Sequence, residues 1–391
     1  TDYYYSWKDS DGAGKRSHAA IGGEMRVPVL DFVTLTGAGR YDRFGYAGRH
    51  ADKFTYNGGV EVRPTDSLLF RAAYGTAFRA PDLHYLFTGP GNVESSVIDY
   101  YTCRQDDPNA GISDCEDYDV DIVAQRSGNR DLKAETGKTL TAGFVFSPSH
   151  RISLSVDYFR VSLDNQVNDL RASELTRDEA DCRPDGNDQT TLDPNSPTCL
   201  AALARIKRFA SGPLVNQIES ISINPINVAR EKTSGIDVAF RGTLPTSFGD
   251  FTLSLAHSHV FKHSLVQYTG DPIENKLAAD SGYYLPRDKS NGSITWASGG
   301  AQFTFSGTRL GKLPNYDEDA FIKASYLFNA TLQYDFTDHM RGSLTVRNVF
   351  DKMPVKDPTW SSYPYYNTSW FDSVGRSVFM QLTYKLGGSA L

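Results

Sequence analysis

The feature that most constrains this chain is a two-residue alternation of apolar and polar side chains recurring along almost its whole length. Successive side chains of a strand point to opposite faces, so the alternation specifies strands with one apolar and one polar face. In 324–336, Tyr326, Phe328, Ala330, Leu332, Tyr334 and Phe336 alternate with Ser325, Leu327, Asn329, Thr331, Gln333 and Asp335. The stretches 250–261, 342–350 and the last one, Ser377 to Leu386, repeat it. Similar patterns cover roughly 18–28, 31–44, 53–63, 67–79, 134–147, 151–163, 218–243, 286–297 and 301–313. About thirteen strands are predicted, with Thr1 to Trp7 as the tail of another.

The connections divide into two kinds. Tight turns are predicted at Pro28-Val29-Leu30, Pro64-Thr65-Asp66, Pro148-Ser149-His150, Pro245 to Gly249, Ser298-Gly299-Gly300 and Thr337-Asp338-His339. Between them lie long polar segments: about 55 residues from Arg79 to Lys133, about 54 from Asp164 to Gln217, and about 20 each around 263–285 and 351–373. An up-and-down meander with one plain end and one elaborated end accounts for this sorting. Transmembrane β-barrels have that asymmetry. No apolar run approaches the ~18 residues of a transmembrane helix, which argues against a helical membrane protein and leaves strands open.

The faces agree with an all-β, antiparallel transmembrane barrel. Aromatics recur on the apolar face near strand ends (Phe70, Phe78, Phe144, Phe146, Phe240, Phe251, Trp296, Phe336, Tyr384), as interfacial girdles require. Glu61, Arg63, Arg71, Asp237, Arg241, Gln333, Asp335, Arg347, Gln381 and Lys385 make the other face too polar for a filled interior, so it must meet water or a polar plug. Single-chain bacterial barrels have an even strand number and begin and end on the short-turn side. By that parity, residues 1–391 are expected to be the later, C-terminal part of a larger barrel.

With 40 basic and 47 acidic side chains the net charge is −7, which argues against nucleic acid as a partner. The four cysteines form two close pairs in polar segments, Cys103 with Cys115 and Cys182 with Cys199. A disulfide in each would staple its loop by roughly 3 kcal/mol and implies an oxidising compartment. No His or Cys at a CxxC-like spacing accompanies either pair, which speaks against zinc.

Five local sequences resemble, in order, the barrel region of TonB-dependent outer-membrane receptors. Leu68 to Leu83, with Phe78-Arg79-Ala80-Pro81, is similar to that family's FRAP-type strand exit. Asn129-Arg130-Asp131-Leu132-Lys133-Ala134-Glu135-Thr136 resembles its N-x-x-L-x-x-E-T segment, and Asn227 to Asp237 its strand ending in G-[VI]-[ED]. Arg347-Asn348-Val349-Phe350-Asp351-Lys352 is similar to its NxFDK, and Gly375-Arg376 to its closing GR. The resemblance implies a 22-stranded barrel preceded by a plug and an energy-coupling box, neither of which is in this sequence. It departs at the C-terminus, where Gly387-Gly388-Ser389-Ala390-Leu391 stands in place of a terminal aromatic.

Ligand-binding candidates fall on the long loops. Tyr100, Tyr101 and Arg104 lie in the first, together with Asp117, Asp119 and Asp121, whose alternate carboxylates could supply oxygen ligands of the kind calcium takes; with no EF-hand glycine or terminal bidentate Glu, a solvated acidic loop is the better explanation. Trp360, Tyr363, Tyr365, Tyr366 and Trp370 crowd the last, suited to stacking on sugars or a planar chelate, or to packing on a neighbouring loop. His257, His259 and His263 form HxHxxxH, with the first two on one strand face. Ser173 stands as an N-cap before a short loop helix closed by the second disulfide. No nucleophile, phosphate-loop or dinucleotide motif is present, and the residual enzymatic reading is an outer-membrane hydrolase using a pair such as Asp82 and His84. The expected function is non-enzymatic, energy-coupled uptake of a scarce solute (siderophore-like chelate, cobalamin, glycan or peptide) across a Gram-negative outer membrane. The partners would be lipid, an extracellular ligand and the inner-membrane TonB-type complex acting through the plug. A passive porin or an adhesin is the alternative.

Overall fold

The structure, a computed structural model, describes residues 12–46, 48–183 and 192–386. Thirteen long strands follow one another in a single antiparallel sheet, each paired with its predecessor. They are β1 (Arg16–Leu30), β2 (Val33–Tyr46), β3 (Arg49–Thr65), β4 (Leu68–Arg79), β5 (Glu135–Ser149), β6 (Ile152–Asn168) and β7 (Ile226–Thr246). β8 (Gly249–Val266), β9 (Asp288–Ser298), β10 (Ala301–Leu310), β11 (Ser325–Thr337), β12 (Met340–Arg347) and β13 (Ser377–Tyr384) complete the wall. Among the described residues β1 and β13 are open edges that do not pair, so the sheet is not closed and a count of 22 strands is not confirmed. Thr1 to Trp7 and the departure at Gly387 to Leu391 lie outside the described residues.

Two adjacent rows show why the alternation produces a two-sided wall. Val62, Phe70, Phe144, Val156 and Val238 stand opposite one another across β3 to β7. One residue along, the row is Glu61, Arg71, Gly143, Asp157, Asp237 and Ser258. A register slip of one residue would exchange these rows, so the pairing is strongly specified. On the polar face the charges pair: Arg26 Nη2 lies 2.9 Å from Glu61 Oε2, and Ser258 Oγ donates to Asp237 Oδ1 at 2.5 Å. Phe70, Phe146, Phe336 and Tyr384 stay exposed on the apolar face, and the Trp296 indole nitrogen donates to the Phe248 carbonyl at the turn.

The six predicted tight turns are present, but the first is displaced to Asp31-Phe32 because the β1–β2 pairing carries on past Pro28, through a register shift, to Leu30 opposite Val33. On the long-loop side one connection departs from expectation: β2 and β3 are joined by residues 47–48 alone. The others there span 80–134, 169–225, 267–287, 311–324 and 348–376. The stretch 218–243 is not one strand. Pro225, which has no backbone N–H for a ladder, separates a short strand Ile218–Ser222 from β7.

The hydrophobic core lies outside the wall, among these long connections. Val97, Ile122, Leu175, Ala202, Ile206, Ile218 and Ile221 form one buried cluster with Ile226, Val228 and Leu265 at the ends of β7 and β8. It is floored by a second sheet, ordered Gly91–Ile98, Asp119–Arg126, Ile218–Ser222, Ile206–Arg208, in which the two central strands run parallel. The 80–134 and 169–225 segments thus share one small domain on the long-loop end.

Candidate functional site

Four short helices shape this loop domain: α1 (Leu83–Phe87), α2 (Tyr100–Asp106), α3 (Ala172–Cys182) and α4 (Pro197–Arg205). Asp99 caps α2, accepting from the Thr102 backbone N–H at 3.2 Å and its hydroxyl at 2.9 Å. Ser196 caps α4 by accepting from Cys199 N–H, with Pro197 in the first turn, where a missing N–H costs nothing. α3 begins two residues earlier than its serine suggests, with Arg171 at the cap position and no side-chain cap bond, so Ser173 does not play the predicted role. Its buried stripe of Leu175, Thr176, Glu179, Ala180 and Cys182 follows helical spacing.

Both predicted disulfides are formed, Cys103–Cys115 and Cys182–Cys199, and all four cysteines are fully buried. The first packs with Tyr100 against Ala180 of α3, so each stapled loop buttresses the other. Between them sits a buried charge triad. The Arg208 guanidinium donates to both oxygens of Asp99 (2.7 and 2.8 Å) and both of Glu179 (2.6 and 2.9 Å). Burial pushes the Asp99 carboxyl up, but Arg208 and Thr102 outweigh it and hold it below the ordinary range. Tyr101 lies against Arg208 and Arg183, 4.7 and 4.8 Å from its ring centre.

Beside this joint opens a cleft of about 1060 Å³, walled by 100–112, α3, 192–198, 267–284, 316–318 and Trp360. Its lining carries nine carboxylates and three arginines, Arg104, Arg171 and Arg177. Arg177 Nη1 donates to Glu318 Oε1 at 2.7 Å and its guanidinium lies 5.3 Å from the Tyr100 ring centre. Trp360 packs on Tyr316 with centroids 4.8 Å apart, and Asp357 fixes that loop by accepting from Tyr316 N–H at 2.7 Å. Burial, reinforced by Asp181 and Glu174, pushes the Asp178 carboxyl up to about 8. Burial and Glu318 push the Tyr284 phenol up to about 12, and burial with Glu174 raises Tyr283 further. At neutral pH these phenols remain hydrogen-bond donors. Arginine forks, phenols, flat aromatic faces and carboxylates therefore converge on one opening, which suits reversible capture of a polar solute.

Of the residues singled out from sequence, Tyr100, Arg104 and Trp360 line this cleft. Asp117, Asp119 and Asp121 do not converge: Asp119 and Asp121 alternate along the loop-sheet strand paired with Gly91–Ile98, and Asp117 precedes it. The only convergent group of metal-type ligands among the described residues is His257, His259 and Asp288. Tyr363 is 84% exposed, Tyr365 and Trp370 are partly so, and Tyr366 is buried at 3%, packed near Phe371. Asp82 is paired with Arg79 and His84 lies against Tyr85, so no hydrolytic pair forms there. Arg177, Tyr283, Tyr284 and Tyr316 went unnoticed in the sequence, although Gly282-Tyr283-Tyr284 inside a long polar connection offered a signal.

A family model, TonB dependent receptor-like, beta-barrel, matches residues 1–349. Among curated proteins no sequence matches. A mutant of the ferric enterobactin receptor PfeA from Pseudomonas aeruginosa is similar at 16% identity with a TM-score of 0.59, over 94% of this chain and 45% of that one. The siderophore receptor PirA from Acinetobacter baumannii gives 15% and 0.59 over 94% and 46%. The FrpB iron transporter from Neisseria meningitidis gives 16% and 0.58 over 96% and 46%. The chain thus spans about half the length of these solved structures.

Proposed function

Since this chain belongs to the TonB-dependent receptor family, we propose that it is the later part of an outer-membrane barrel whose long-loop end captures a scarce solute for energy-coupled uptake. The observation that carries this reading is the cleft walled by five of the long connections, with α3, Tyr283, Tyr284 and Trp360 on its surface. Its place on the elaborated end of the wall suits contact with the exterior, and the apolar face suits outer-membrane lipid. The two open sheet edges support a larger closed barrel, and coupling to the inner-membrane complex would act through a plug contributed by another part of the protein. The chemistry is binding and release, with no covalent step.

Relatives of this fold include receptors described as taking ferric enterobactin and siderophores, so a chelated iron is the substrate class we assign. Eight carboxylates besides the protonated Asp178, against three arginines, favour a neutral or cationic chelate over a polyanionic one, because like charges brought into a partly desolvated cleft repel. The test is fluorescence titration of the full-length receptor with a neutral ferric trihydroxamate and a trianionic ferric tricatecholate. Tighter binding of the first, weakened by Trp360→Ala and Tyr283→Ala, is expected. Preference for the trianion, or binding of neither, overturns the assignment.

A further inference from the structure

We propose that His257, His259 and Asp288 form a binding site for a borderline divalent transition-metal ion on the apolar face of the wall, separate from the cleft. His257 and His259 are two apart on β8, so both project from one face; Asp288, the first residue of β9, stands directly opposite His259, and Ser290 opposite His257. His257 shares its row with Val238, Val156 and Phe144, which places the site on the apolar face. One donor atom from each of the three lies within 4.8 Å of the others.

The hydrogen bonds prepare the donors. His257 Nδ1 lies 2.8 Å from Ser290 Oγ. With the proton on Nδ1 donated to Ser290, the Nε2 lone pair is free and faces Asp288, 3.9 Å from Oδ1. His259 Nδ1 lies 2.5 Å from the same oxygen. An ion bound at roughly 2.1 Å to each would replace the shared proton there, with the His259 and Asp288 donors spreading to about 3.4 Å and His257 closing on Asp288 by about half an ångström. Gly311 N–H donates to the Asp288 carbonyl at 2.8 Å, anchoring the carboxylate-bearing residue where β9 leaves the 267–287 connection. Two imidazoles and one carboxylate suit Zn²⁺, Cu²⁺ or Ni²⁺ and are poor for Ca²⁺ or Mg²⁺. The carboxylate also argues against an anion such as a lipid phosphate. The third histidine of the motif takes no part. Gly235 pairs with Val260 and Ser234 with Lys262, so Phe261 is an extra residue. That bulge turns His263 to the polar face, where its Nε2 lies 2.6 Å from Glu231.

The experiment is calorimetric titration of the chelator-treated, full-length receptor in detergent with Zn²⁺ alone. Wild type and His263→Ala are expected to share one equivalent that Ca²⁺ does not displace. His259→Ala and the isosteric Asp288→Asn lose that equivalent or bind it at least about tenfold more weakly, and Ser290→Ala weakens it less. Heat-modifiable gel mobility checks that each variant keeps its barrel. Wild-type stoichiometry and affinity in Asp288→Asn and His259→Ala, loss in His263→Ala, or no Zn²⁺ uptake by the wild type would each overturn the site.

Discussion

Arg71 on β4 grips Asp157 on β6 across the whole width of an intervening strand, Nε at 2.9 Å from Oδ1 and Nη2 at 2.6 Å from Oδ2. The residue between them is Gly143 of β5, where a Cβ would stand 2.3 Å from the Val156 carbonyl oxygen and 2.4 Å from Asp157 Oδ1. Asp157 also faces Asp237 directly, so the fork neutralises one of two opposed carboxylates.

Arg71→Ala is expected to lower wall stability by about 1 kcal/mol, the pair being partly solvated. Gly143→Ala should cost more, about 1–3 kcal/mol, because backbone must move. Urea titration followed by heat-modifiable mobility ranks them; equal effects would show that the glycine is not a cradle.

Arg208→Met should leave Asp99 buried without a cation and Glu179 with Arg183 alone, a loss of about 3–5 kcal/mol confined to the loop domain. Limited proteolysis is expected to cut 80–134 and 169–225 while the wall stays folded. Adding Asp99→Asn removes the charge left without a cation and should restore part of the protection.

Replacing Cys103 and Cys115 by serine should loosen the α2 segment by about 3 kcal/mol. Hydrogen exchange resolves it: faster exchange in 100–118 and in α3 around Ala180, which packs on that disulfide, is expected, with the strands unchanged. Mass spectrometry of unreduced peptides should recover both pairs intact.

Asp178 gives the cleft a pH dependence. Its folded pKa, about 8, lies above its ordinary value near 3.8, so the folded state holds the proton more tightly. Its contribution to stability is therefore full below about pH 4 and is lost as pH rises through 8. Proteolysis of α3 should be faster at pH 9 than at pH 6, and Asp178→Asn should abolish the difference.

The wall was legible because each strand repeats its two faces often enough to fix register, as in 324–336. Ile218–Ser222 was read into β7 because both alternate, and Pro225 between them was the overlooked signal. The HxHxxxH motif was misleading as a unit because a bulge at Phe261 changes parity without any mark in composition. The cleft was the least legible part: Arg177, Tyr283 and Tyr316 come from three connections, and only the folded loop domain brings them together. Asp317 and Glu318 belong to 311–324, a connection that no motif or pattern in the sequence singles out.

The parallel pairing of Val123 to Gln125 with Ser220 to Ser222 joins two connections separated in the chain by β5 and β6. Each disulfide, by contrast, closes a ring within one connection, over 12 and 17 residues. Contact order therefore favours early closure of the two rings and later formation of the sheet that unites them. The loop domain that carries the proposed cleft is thus expected to assemble late, after the strands beneath it have paired.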